Sequence, residues 1–215
     1  MLRAMKSAPR PAPVPPLGEP SRRWLCHLAR ASLQGALAAR DPRAAELPTR
    51  PVPRPDDPRL DAPSRLFVSW HDGEELVGCI GTLEPHPSLE SGVARYAVIA
   101  GVDDPRTPGA DPGRWDHLTC EISILGEPVP LAEVGIDAIA PLLRPGRDGV
   151  ILGVGGRRAF FLPVVWEHFA DPRDFLVALC RKAGLDPRRD GPHVRAEVLE
   201  AEAFSEPVTP GVGEA

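Results

Sequence analysis

Apolar positions recur along this chain in two rhythms, and the changes between them mark out its elements. Over residues 22–39, "RRWLCHLARASLQGALAA" spaces Trp24, Leu28, Ala31, Leu33 and Leu37 mostly at steps of three or four, which predicts an amphipathic helix. "PSLESGVARYAVIAG" repeats the pattern with Leu89, Val93, Ala97 and Ala100, with Ser88 placed to cap its start and Gly101 to stop it. "DPRDFLVALCRKAGL" carries the fullest set of helix signals. Asp171 is the N-cap, Pro172 the first helical residue, Asp174 acidic in the first turn, Arg181 and Lys182 basic in the last, and Gly184 follows.

Elsewhere the period is two. "LFVSWHDGEELVGCIGTL" is two strand-like runs joined by Asp72-Gly73, a dipeptide suited to a two-residue type I′ turn. That turn pairs His71 with Glu74, Val68 with Val77 and Leu66 with Cys79, so Leu66, Val68, Val77 and Cys79 should share a face. "LTCEISIL" puts Leu118, Cys120, Ile122 and Ile124 on one face and Thr119, Glu121 and Ser123 on the other. "DGVILGV" and "RRAFFL" around Gly155-Gly156 predict a second hairpin, "PVVWEHF" a short helical turn, and "HVRAEVLEAEAF" one last strand. The predicted class is α+β, with a mixed or antiparallel sheet and flanking helices.

Proline locates what lies outside that pattern: 13 of the 28 prolines fall within residues 1–20 and 41–63. These windows predict a disordered basic tail over 1–20 and a loop over 41–63, with a folded domain over 21–205 and a flexible end over 206–215. Residues 1–63 carry 11 Lys plus Arg against 6 Asp plus Glu, a net of +5, so the remaining 152 residues hold −10 of the chain's −5. An acidic folded part argues against a nucleic-acid protein, whose binding face concentrates basic residues. No apolar run reaches the roughly 18 residues of a membrane helix, and the N-terminus lacks a secretory signal, so a soluble, cytoplasmic protein is expected.

Cys26, Cys79, Cys120 and Cys180 are 53, 41 and 60 positions apart, without the compact spacing of a zinc site or a cysteine triad for an iron–sulfur cluster. The six histidines show neither HxH nor HExxH spacing, and no cofactor is expected. Cys79 is the unusual cysteine, because Gly78 and Gly81 flank it in a strand that would ordinarily use side chains there. Glycine lets another group approach the backbone, or kinks the strand so that the sulfur opens to a cleft. A buried, unpaired cysteine is otherwise simply a small hydrophobe.

"LVGCIGTLEP", "DDPR", "EISIL", "PGRDGVILGVGGRRAFFLPVVWE" and "FLVALCRKAGL" occur in the order and spacing of the AMMECR domain family. The chain most closely resembles its AmmeMemoRadiSam system protein A branch, over residues 22–204 without the proline-rich insert. The resemblance implies an α+β domain of two subdomains whose signature, arginine-glycine-cysteine-isoleucine-glycine, corresponds to Val77 through Gly81. Val77 departs from the signature arginine, and Thr107 from the aromatic that usually follows the "DPR" tripeptide. Bacterial members are associated with a Memo-like protein and a radical SAM protein, which the resemblance implies as partners.

Two functions follow as expectations. In one, Cys79 is a nucleophile, His71 or His86 its base, and Glu121 or Arg106 an orienting or anion-binding group. In the other, favoured slightly because Val77 replaces the arginine, the domain is an accessory protein at a small-molecule site. There Gly78 and Gly81 shape a cleft, and Arg106, Arg157 or Arg158 supplies the missing positive charge.

Overall fold

The structure, a computed structural model, describes residues 10–48 and 51–205. In chain order it contains helix α1 (Glu19–Ala38), strands β1 (Ser64–Asp72) and β2 (Glu75–His86), helix α2 (Leu89–Val102), strands β3 (Leu118–Leu125) and β4 (Val129–Pro130) and the short helix α3 (Ile136–Ile139). Strands β5 (Gly149–Val154) and β6 (Arg157–Phe161), helix α4 (Pro172–Lys182) and strands β7 (Arg195–Leu199) and β8 (Ala201–Ser205) complete it. The α+β class is as expected, but the expected sheet is two four-stranded sheets in two compact units. The last alternating run is likewise two strands: it breaks at Glu200, whose carbonyl accepts the Gly126 N–H, and β7 and β8 enter different sheets. Alternation continues through both strands, so the pattern carries no mark of that break.

Among the described residues, the N-terminal unit comprises those within 15–125 and 202–205, with strand order β2-β1-β3-β8. Leu89, Val93, Ala97 and Ala100 of α2 are buried as their spacing requires, and α2 packs on β1 and β2. Ser88 caps it, accepting from the Ser91 N–H. Helix α1 packs on α2 and buries Leu25, Ala29, Leu33 and Leu37, whereas Leu28 and Ala31 are only half-buried. The expected tail to residue 20 is too long: Leu17 is buried and its N–H donates to Glu202 Oε1 at 2.8 Å. Residues 1–9, 49–50 and 206–215, within the expected tails and loop, lie outside the described residues.

The first hairpin corrects the expected register. Asp72 pairs with Glu75, so Gly73 and Glu74 form the turn, and only Gly73 has positive φ (+62°), the sign pattern of type II′. Val77 is then an extra residue between the pairs His71–Leu76 and Trp70–Gly78, a bulge. Beyond it Ser69 pairs with Cys79 and Phe67 with Gly81. The net displacement from the expected pairing is an odd number of residues, which turns β2 over. Cys79 therefore shares a face with Ser69 and Phe67, not with Leu66 and Val68.

The C-terminal unit comprises residues 126–201 and 10–14, with strand order β4-β7-β5-β6. Its hairpin is the one expected, Gly155 and Gly156 both adopting the positive φ of a type I′ turn. Asp171 caps α4 by accepting from the Arg173 and Asp174 N–H groups. Phe175, Leu176, Leu179 and Cys180 enter the core, where the Trp166 ring stacks on Phe175 with centroids 3.8 Å apart. Asp148, fully buried, accepts from Arg10 and Arg144.

Candidate functional site

Strand β2 is the edge of its sheet, and an edge strand presents unpaired backbone groups. At Cys79 a side-chain pair takes the place of a neighbouring strand. The Cys79 N–H donates to Asp104 Oδ2 at 3.0 Å, and Arg106 Nη2 donates to the Cys79 carbonyl at 2.5 Å. Asp104 is itself buried and also accepts the Arg106 N–H (3.1 Å), Nε (2.8 Å) and Nη2 (2.7 Å). The Arg106 guanidinium, with the Cys79 and Arg106 amides, holds the Asp104 carboxyl far below the usual carboxylate range despite its burial. Arg106 therefore reaches Cys79 as half of an ion pair and not as a free cation.

The two glycines have structural causes. A Cβ on Gly78 would stand 1.9 Å from the Ala100 carbonyl oxygen, so the last turns of α2 can lie on β2 only if position 78 has no side chain. A Cβ on Gly81 would come within 2.1 Å of the Leu66 carbonyl and 2.5 Å of Phe67. Helix and neighbouring strand thus account for both glycines by close backbone approach.

Around the sulfur, Cys79, Ser69 and Glu121 form one cross-strand row, because Ser69 pairs with both of the others. All three are half-buried. Burial pushes the Cys79 thiol above its ordinary value, and the Ser69 hydroxyl and the Arg106 charge only partly oppose this. His71 lies on the same face of β1 two residues beyond Ser69, level with Thr119 and across the Val77 bulge from Cys79. Its ring makes no hydrogen bond to Cys79 among the described residues.

Of the other expected groups, His86 of the same unit lies away from the thiol. His86 is seven residues along β2, about 23 Å at the usual rise, where its ring meets Ser91 Oγ at 3.2 Å and the edge of Tyr96. Arg157 and Arg158 belong to the C-terminal unit, where they pair with Asp190 and Glu197. Sequence reasoning missed Asp104 and Ser69. The signal for Asp104 was present in "DDPR", where an aspartate two residues before an arginine can accept that arginine's own amide. Among the described residues no group of three or more His, Cys, Asp or Glu is placed to hold a metal ion. No helix of the described residues is long and apolar enough to cross a membrane.

Two concavities lie elsewhere. A recess of about 150 Å³ at the hairpin tip is bordered by Leu76, Val77, Asp72 and Arg114, the last two forming an ion pair. A larger one, about 710 Å³, belongs to the C-terminal unit.

Residues 26–204 match the family described as AMMECR1. Protein TV1384 of Thermoplasma volcanium is 33% identical over 156 residues, 71% of this chain and 77% of that protein. A protein of Methanothermobacter thermautotrophicus is 37% identical over 144 residues, 66% of this chain and 74% of its own. Among solved structures, Uncharacterized Protein PH0010 from Pyrococcus horikoshii has a TM-score of 0.74 at 28% identity, covering 88% of this chain and 93% of that one.

Proposed function

The chain belongs to the AMMECR1 family, and on that premise we propose that it is a non-catalytic accessory protein presenting the neutral thiol of Cys79 at a small-molecule site. Its partners are a Memo-like protein and a radical SAM protein, as in the AmmeMemoRadiSam branch. The observation that carries this reading is the commitment of Arg106 to Asp104 while burial raises the thiol. A nucleophilic cysteine needs an uncommitted cation or a hydrogen-bonded base to become thiolate, and Cys79 has neither among the described residues. Four free cysteines suit the reducing conditions of a cytoplasm.

One observation favours a second reading, a cysteine-dependent hydrolase or group-transfer enzyme: the Cys79–Ser69–Glu121 row could relay a proton from the thiol. Alkylation of the native protein between pH 5 and 10, followed residue by residue, separates the two. The accessory reading expects Cys79 to label slowly, with a midpoint above that of a free thiol, and co-purification with the two partners to survive Cys79→Ser. Rapid labelling of Cys79 alone below about pH 7 would show a thiolate and replace the accessory reading with the enzymatic one.

A further inference from the structure

The 710 Å³ cavity of the C-terminal unit joins features that the site at Cys79 does not use. One wall is α4, which contributes Arg173, Val177 and Arg181, residues four apart and so in line along one side of the helix. They span about 12 Å at the helical rise. The facing wall comes from residues 134–138, 187–188 and 191–192, including Val134, Ile136 and Arg188.

Two of its three arginines, like Arg195 of β7, lack among the described residues the carboxylate partner that most arginines of this unit have. Arg144, Arg157, Arg158 and Arg189 of the same unit each stand within 3.4 Å of a carboxylate. Arg173 Nε is likewise held by Asp137, at 2.8 Å. Arg181 and Arg188 line the cavity with no acceptor for either guanidinium among the described residues. Among the lining side chains three arginines stand against Asp137; Asp171 and Asp174 also act on Arg173, so the two charges left over are those of Arg181 and Arg188, in a chain whose net charge is −5. The same cavity exposes Val134, one of three large hydrophobic side chains exposed among the described residues. Unpaired cations beside exposed apolar surface in one concavity are complementary to an anion with an apolar body.

We propose that this cavity binds a small phosphate monoester carrying an apolar group, its phosphate on Arg181 and Arg188 and its apolar part against Val134 and Val177. A phosphate monoester bears about −1.5 to −2 charges at neutral pH, which matches the charges of Arg181 and Arg188 better than a single carboxylate does. Planar guanidinium forks suit its oxygens, and two of them stand without an internal partner.

The test is an NMR titration of the ¹⁵N-labelled full chain with butyl phosphate, inorganic phosphate and pentanoate. The expected result is saturable shifts of amides in 134–138, 173–181 and 187–192, with butyl phosphate binding most tightly. Arg181→Gln and Arg188→Gln should each weaken it about tenfold, the scale of one lost charge-assisted hydrogen bond, while Arg195→Gln on β7 should leave it unchanged. Equal affinity for inorganic and butyl phosphate would overturn the apolar part of the assignment, and preference for pentanoate would overturn the phosphate. The site itself would be overturned by shifts that never saturate, or by ones that persist undiminished when both arginines are replaced. Because Cys79 takes no part, these outcomes are independent of the alkylation result.

Discussion

Arg106 and Arg181 are both exposed arginines near the C-terminal end of a helix, yet the fold uses them in opposite ways. Arg106 keeps 60% of its side chain in solvent, but its guanidinium is fixed on Asp104, whose side chain is wholly buried. Arg181, in the last turn of α4, has no carboxylate partner among the described residues and borders a cavity instead. Exposure does not distinguish them. What does is whether folding has buried an acceptor beside the cation. A buried carboxylate must be paired, so it takes its arginine out of the supply available to ligands. The Cys79 segment is thus braced architecture around a thiol raised by burial, while Arg181 and Arg188 border their cavity without a carboxylate partner among the described residues.

The comparison can be broken most severely at Gly78. Gly78→Ala drives a methyl group into the Ala100 carbonyl, and neither β2 nor α2 can retreat without opening the core. A loss of about 3 kcal/mol is expected from urea denaturation, the upper range for overpacking. A change under about 0.5 kcal/mol would mean that the helix does not lie on that strand as described.

Arg106→Gln should cost about 2 kcal/mol, because it strips charge-assisted hydrogen bonds from a buried carboxylate and frees the Cys79 carbonyl. Asp104→Asn tests the same pair through pH. The folded carboxyl is depressed, mainly by Arg106, so its stabilisation is present above the unfolded value near 3.9 and is lost as pH falls towards the folded one. The stability gap between wild type and Asp104→Asn should therefore be constant from pH 7 to about 5 and narrow below about 4. A gap that closed near neutrality would contradict the pairing.

A smaller effect is expected at alkaline pH. The Cys79 thiol is raised by burial, so an unfolded chain ionises first, and stability should fall as pH rises past about 8.5. Cys79→Ala should flatten that part of the profile relative to wild type. Smallest of all, Arg181→Gln and Arg188→Gln should change stability by less than about 0.5 kcal/mol, since neither side chain has an internal partner to lose. A loss comparable to that of Arg106→Gln would show a structural bond and remove the contrast.

The sequence by itself determined the local elements. Asp171, Pro172 and Gly184 bound α4, Ser88 caps α2, and Gly155-Gly156 turns the second hairpin, because caps and turns depend on residues a few positions apart. It also marked Cys79 as the thiol to examine. Only the tertiary structure decided which way that thiol points. A bulge at Val77 leaves no strong mark in composition, and one extra residue exchanges the two faces of a strand. Tertiary packing likewise brought Asp104 to a strand 25 residues earlier, set α2 against Gly78, and left Arg181 and Arg188 unpaired. Which groups meet across such separations depends on what the folded core buries, and neither periodicity nor spacing records it.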